Sequence, residues 1–272
     1  MNIELLKNFF ENKKEIELAV LFGSRAEDRY RRTSDYDIGI FLTEELSKKE
    51  KRDFRDKIWT ELETKLNKDL DLILLNEAPP LFLNRILSTG KIILIRNRNL
   101  YLDLLINSTR EAEDLCKFCQ EYYQIFERSS SLNPIDKVRI ERILIFLDRE
   151  MKDINKFKNL KIEDYKKNSS LRRDVERFVE NLINSILDIF KIILASQKFC
   201  MPETYREVVI KMKEVEGFDT NNLLEKFANW VKLRNILAHE YMNIKFEEIK
   251  EFLEEGFPLL EKIILKVKAF IK

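Results

Sequence analysis

Strand-length apolar runs fill the first hundred residues of this chain and then stop, and that change of period governs what it can fold into. ELAVLFG (17–23), DYDIGIFL (35–42), LDLILL (70–75) and KIILIR (91–96) are short, apolar and bounded by turn signals, which predicts four strands. A charged helical stretch covers 44–68, and a second helix, PPLFLNRILSTG, separates the third and fourth strands; Pro79 and Pro80 suit its start and Gly90 its stop. From Leu100 onward apolar residues recur with the helical period. One helix is predicted over 100–128, then four or five over about 135–158, 170–197, 203–215, 220–240 and 245–271. The fold class is thus an α/β domain with a small mixed sheet, followed by an all-α helical bundle. The turn-rich stretch Ser129, Ser130, Ser131, Leu132, Asn133, Pro134 divides the chain into 1–128, a linker at 129–134, and 135–272.

Composition excludes several function classes. Lys and Arg number 49 against 48 Asp and Glu, a net charge of +1, so no bulk basic field holds long nucleic acid non-specifically. The single histidine forbids a multi-histidine metal site and any His pair within one chain, and five glycines leave no Gly-rich dinucleotide loop. Three cysteines, an odd number, fit a reducing cytoplasm. Cys116 and Cys119 share one helix and are expected as buried small side chains, and Trp59 and Trp230 as core. The N-terminal MNIELLKNFFENKKEIEL has no secretory pattern, and no apolar run reaches the roughly 20 residues of a membrane span. A cytoplasmic protein without membrane contact is expected.

Two constellations carry chemistry. In the first, Gly23 lets backbone N–H groups approach phosphate oxygens at the end of the first strand, and Ser24 adds a hydroxyl donor. Asp35 and Asp37, two apart where the second strand opens, point to one face. Side by side they repel unless a cation lies between them, and Mg²⁺ with phosphate oxygens is the natural occupant. Asp71, near the start of the third strand, adds a third carboxylate. Such a cluster suits two metals that activate an attacking oxygen and stabilise a leaving pyrophosphate.

GSRA (23–26), SDYDI (34–38) and DLILLNEAPPLFLNRIL (71–87) resemble, in order, the nucleotidyltransferase superfamily, and within it the minimal nucleotidyltransferase (MNT) domains, over roughly residues 1–128. The resemblance implies that Asp35, Asp37 and Asp71 are catalytic and hold Mg²⁺, while Gly23 and Ser24, with Arg25, bind ATP. Many members continue GSRA with Arg-Gly, whereas this chain has Glu27-Asp28, which adds negative charge beside the phosphates.

The second constellation is RNILAHEY (234–241), which contains the only histidine and follows the apolar helix LLEKFANWVKL. Arg234 and His239 are five apart, about 140° on an ideal helix, while Arg234 and Tyr241 share a face if the helix continues. The segment resembles the R-x4-H-x-Y motif of HEPN domains, and IDKVRIERILIFL with DVERFVENLINSILDI behind it resembles the subgroup paired with MNT proteins, over about 135–272. The resemblance implies a metal-independent ribonuclease. In it His239 assists attack of an RNA 2′-OH on the neighbouring phosphate, and Arg234 stabilises the phosphorane. With one histidine per chain, paired imidazoles need two chains, so a homodimer through the HEPN domain is expected. Toxin–antitoxin systems of this kind imply that the MNT domain transfers AMP from ATP to Tyr241, blocking the ribonuclease, in cis or, given the short linker, in trans. Two alternatives stand: a small-molecule nucleotidyltransferase of the aminoglycoside kind, and a HEPN ribonuclease whose N-terminal domain senses nucleotides without catalysis.

Overall fold

The computed structural model describes residues 3–27, 35–66, 68–128, 131–218, 222–239 and 245–271, with His239 described by its backbone. The chain folds as two compact units, Met1–Glu113 and Asp114–Lys272.

The first unit runs α1 (Ile3–Glu11), β1 (Ile16–Phe22), α2 (Gly23–Ala26), β2 (Tyr36–Leu42), α3 (Lys48–Leu66), β3 (Leu70–Leu74), α4 (Pro80–Thr89) and β4 (Lys91–Ile95), then enters α5 (Arg98–Arg128). The sheet order is β3-β2-β1-β4; β1 pairs antiparallel with β2 and β4, and β2 pairs parallel with β3. The small mixed sheet expected from the sequence is therefore present. Its central strands read as unbroken apolar runs because both faces are covered. Ile16, Ala19, Leu21, Ile38 and Ile40 pack with Phe9 and Phe10 of α1 and with Ile58 and Leu62 of α3. Leu18, Val20 and Phe41 pack against Ile86 and Leu87 of α4 and the start of α5. Gly90 ends α4, donating its N–H to Ile86 O at 2.9 Å.

Arg96 closes the unit's first turn. Its Nη2 donates to the carbonyls of Phe10 (3.2 Å), Glu11 (2.8 Å) and Lys13 (3.2 Å), and its Nε to Ile16 O (2.8 Å). The last α1 carbonyls lack helical partners, and a cation there is favourable. Arg96→Ala is expected to lower unfolding free energy by about 1–2 kcal/mol, read as a lower denaturant midpoint.

The second unit is helical. Its core includes the far half of α5, through Leu115, Phe118, Tyr122 and Ile125. It continues with α6 (Pro134–Glu150), α7 (Ile154–Phe157), α8 (Ile162–Lys167), α9 (Ser169–Ser196), α10 (Tyr205–Lys211), α11 (Leu223–Ala228), α12 (Val231–His239), α13 (Phe246–Glu251) and α14 (Phe257–Phe270). Asn133 caps α6, accepting from Asp136 N at 2.9 Å, with Pro134 opening the helix. α9 is the central helix: from Ile189 to Ser196 every residue is buried, as expected of a helix surrounded on all sides.

The sequence reading ran several helices together. The described part of 220–240 forms two helices: Trp230 donates its N–H to Phe227 O, three residues back, at 3.0 Å, and that tight turn separates α11 from α12. Residues 245–271 are interrupted by a π-helical turn, Phe252–Gly256. There a Cβ on Gly256 would lie 2.4 Å from the Phe252 ring. Trp230 packs against the helical core, but the other tryptophan is less buried than expected. Trp59 is 39% exposed and donates Nε1–H to Leu70 O at 2.8 Å; its polar edge needs a partner at the surface. Cys116 is an exposed free thiol and Cys119 is half-buried, because α5 shows that flank to solvent; Cys200, between α9 and α10, is also an exposed free thiol. No helix among the described residues is long and apolar enough to cross a membrane.

Candidate functional site

The end of the sheet at Phe22 gathers the first constellation. Phe22 stands opposite Asp37 across the β1–β2 ladder, and Asp37 stands opposite Asp71 across β2–β3. Immediately after Phe22 the chain turns at Gly23, whose φ of +68° is left-handed, and enters α2. A Cβ at Gly23 would lie 2.1 Å from Asp37 Oδ2. The Asp37 carboxylate therefore rests against bare backbone, the close approach for which glycine is required.

Burial raises the Asp37 carboxyl above its ordinary range; the charges of Asp71 and Asp35 raise it further, and the Arg25 guanidinium partly offsets them. Asp35 and Asp71 are exposed and Asp37 is half-buried. Among the described residues no three His, Cys, Asp or Glu side chains gather into a metal-holding group. The three aspartates occupy one end of the sheet, with Asp37 in the field of the other two. Mutual repulsion of this kind is what a hard divalent cation relieves. An unfolded chain gives up the Asp37 proton more readily than the folded one, so this carboxyl costs stability once pH rises through the carboxylate range. Asp37→Asn is expected to raise the melting temperature at pH 7 and leave it nearly unchanged at pH 3.

Arg25 is turned inward. It is 4% exposed, donates Nε–H to Asp35 O at 2.9 Å, and lies 4.0 Å from the Tyr36 ring centroid. It holds the backbone that carries Asp35, which the sequence reading, placing it among the nucleotide contacts, did not anticipate. Ser24 is half-buried on α2. Ser34 and the arginines at 29, 31 and 32 lie outside the described residues.

The second constellation sits on α12, which carries both Arg234 and the His239 backbone; the His239 side chain and Tyr241 lie outside what is described. Arg234 is 6% exposed. Its Nη1 is 2.5 Å from Asp114 Oδ2, its Nε donates to Asn184 Oδ1 at 2.5 Å, and its guanidinium lies 4.6 Å from the Tyr205 ring centroid. Burial alone would lower the guanidinium's proton affinity, but the bond to Asp114 and the negative charge around it raise it overall. These residues border a cleft of about 270 Å³ that also includes Lys117, Phe118, Glu121, Asp188 and Lys191. Lys191, buried, pairs with Glu121 at 2.6 Å and Asp188 at 2.8 Å. The charged run 174–177 pairs elsewhere: Glu176 accepts from the Tyr165 hydroxyl, and Arg177 pairs with Glu180 at 3.0 Å. Asp114, Asn184 and Tyr205 were not among the sequence candidates. They lie 120, 50 and 29 residues before Arg234 in the chain, farther than any helical spacing reaches, so no local pattern marks them.

Residues 4–99 match the family described as polymerase beta, nucleotidyltransferase, and residues 147–267 the family described as ribonuclease HepT-like. A curated protein of Methanocaldococcus jannaschii, "Putative RNase MJ1380", is 29% identical over 102 residues, which is 34% of this chain and 94% of that protein. Solved structures are also similar. A toxin–antitoxin with AMP-PNP is 21% identical over 46% of this chain and 97% of its own, with a TM-score of 0.39. A tri-AMPylated Shewanella oneidensis HEPN toxin in complex with MNT antitoxin is 20% identical over 45% and 96%, with a TM-score of 0.35.

Proposed function

We propose that this chain, which joins a nucleotidyltransferase domain to a HepT-like ribonuclease domain, is a self-contained toxin–antitoxin protein: its first domain transfers AMP from ATP to Tyr241 and so silences its second. The observation that carries the transferase half is the placement of Asp37 opposite Asp71 with its carboxylate against Gly23. Asp35, Asp37 and Asp71 would hold Mg²⁺, which when bound neutralises triphosphate charge and favours loss of pyrophosphate. Gly23 and Ser24 offer backbone N–H groups and a hydroxyl to the phosphates. Arg25 keeps the Asp35 backbone in register from below. The Tyr241 Oη attacks the α-phosphorus of ATP; the new Oη–P bond forms as the bond to the bridging oxygen breaks, pyrophosphate leaves, and the phenolic proton passes to water.

In the unmodified protein His239 takes the proton of an RNA 2′-OH, and Arg234 pairs with the charge that develops on the phosphorane, without a metal. A homodimer through the helical domain brings two copies of His239 to one site. AMP on Tyr241, two residues from His239, adds bulk and negative charge where the RNA phosphate binds. The setting is the cytoplasm.

The test is to incubate the purified full-length chain with ATP and Mg²⁺ and map its peptides by mass spectrometry. AMP is expected on Tyr241 in the wild type and absent from Asp35→Asn with Asp37→Asn. A wild-type Tyr241 that stays unmodified, or a double variant that is modified as fast, overturns the reading.

A further inference from the structure

We propose that Asp114, Asn184 and Tyr205 are positioning residues for ribonuclease catalysis, acting on RNA only through the guanidinium of Arg234. The inference rests on the ribonuclease reading above. Three helices reach one guanidinium from three directions: Asp114 of α5 meets Nη1, Asn184 of α9 accepts from Nε, and the Tyr205 ring of α10 lies against the flat face. An unrestrained arginine carries about 2 kcal/mol of side-chain rotamer entropy. Charge stabilisation of a transition state works best from a group already in place. Arg234, 6% exposed and held on three sides, is in place before any RNA arrives.

The holders are themselves held. Asn184 Nδ2 donates to Glu180 Oε1 at 3.4 Å, which turns its Oδ1 toward Arg234. Tyr205 is the first residue of α10, whose Thr204 cap accepts from Glu207 N at 3.1 Å while Glu207 Oε2 accepts from Glu203 N at 2.8 Å. Its ring meets Phe118 edge-on, with centroids 5.2 Å apart, and its hydroxyl engages Asp114. A buried ion pair returns little net stability once its desolvation is counted. Partners on three sides therefore do more to fix the direction of Arg234 than to stabilise the bundle.

The experiment measures steady-state cleavage of a single-stranded RNA by the full-length chain, in an Asp37→Asn background that keeps AMP transfer from masking the result. Asp114→Asn is expected to lower kcat by roughly 10²-fold, the cost of a displacement of about 1 Å, with KM changed less than about twofold. Asp114→Glu should restore part of the rate. Asn184→Asp keeps the acceptor and should cleave far faster than Asn184→Leu; Tyr205→Phe keeps the ring and should cleave far faster than Tyr205→Ala. Melting temperatures are recorded for each. If Arg234→Ala is inactive while Asp114→Asn and Asn184→Leu keep the wild-type kcat, the positioning inference fails alone. A loss seen only in KM, or one that merely tracks melting temperature, overturns it too. Full cleavage by Arg234→Ala overturns the ribonuclease reading itself.

Discussion

Gly23→Ala is expected to lower the melting temperature well beyond the cost of a strained backbone, and to cut AMP transfer by about 10²-fold or more. Two effects combine at this position. With φ at +68°, a side chain meets left-handed strain of roughly 1–2 kcal/mol. The added Cβ would also lie 2.1 Å from Asp37 Oδ2 and 2.8 Å from its Cγ, so the carboxylate must swing away from the end of β2. Gly217 separates the two effects, because its φ is +84° and a Cβ there meets nothing within 4 Å. Gly217→Ala should therefore suffer the backbone strain alone and leave transfer intact. Melting curves and mass-spectrometric AMP incorporation on both variants read the difference. Equal losses of melting temperature would show that Asp37 does not depend on the bare backbone at Gly23.

Elements whose information is local were legible in the sequence. The four strands, the proline start and glycine stop of α4, and the Asp35–Asp37 pair are all set by neighbours within a few residues. The partnership of Asp37 with Asp71 was legible only as a possibility, since it depends on β2 and β3 lying side by side in parallel and in register, 34 residues apart. The burial of Arg25 left no local trace, because it follows from Tyr36 and the Asp35 carbonyl closing over it. The break between α11 and α12 was missed because apolar spacing continues through Trp230 while the hydrogen bonding tightens to Phe227. The clamp on Arg234 left no local trace, since a residue's role as a partner is written in the packing of three helices and not in any one of them. In both units the sequence marks the candidate residue and the tertiary fold supplies what holds it.

That division of labour gives the largest stability effect expected in the helical unit. Arg234→Ala removes the counter-charge of Asp114 and the donor to Asn184 together. The Asp114 side chain is 30% exposed, so stranding it costs less than the ~3–5 kcal/mol of a fully buried charge; the variant should still unfold at a lower denaturant concentration and cleave no RNA. Tyr205 sharpens the argument. Burial raises its phenol far above the ordinary range, Asp114 and Asp188 raise it further, and Arg234 is the group that opposes them. A phenol can ionise only to a second negative charge, and without Arg234 it holds its proton more firmly still, so it cannot offset the stranded carboxylate. Replacing both charges, Arg234→Met with Asp114→Leu, should recover most of the lost stability, because an apolar pair of similar volume avoids the desolvation penalty. It should recover no cleavage. If the double variant is as unstable as Arg234→Ala, the loss comes from packing around the guanidinium and not from the stranded carboxylate; if it cleaves RNA, Arg234 is not the group that meets the phosphorane.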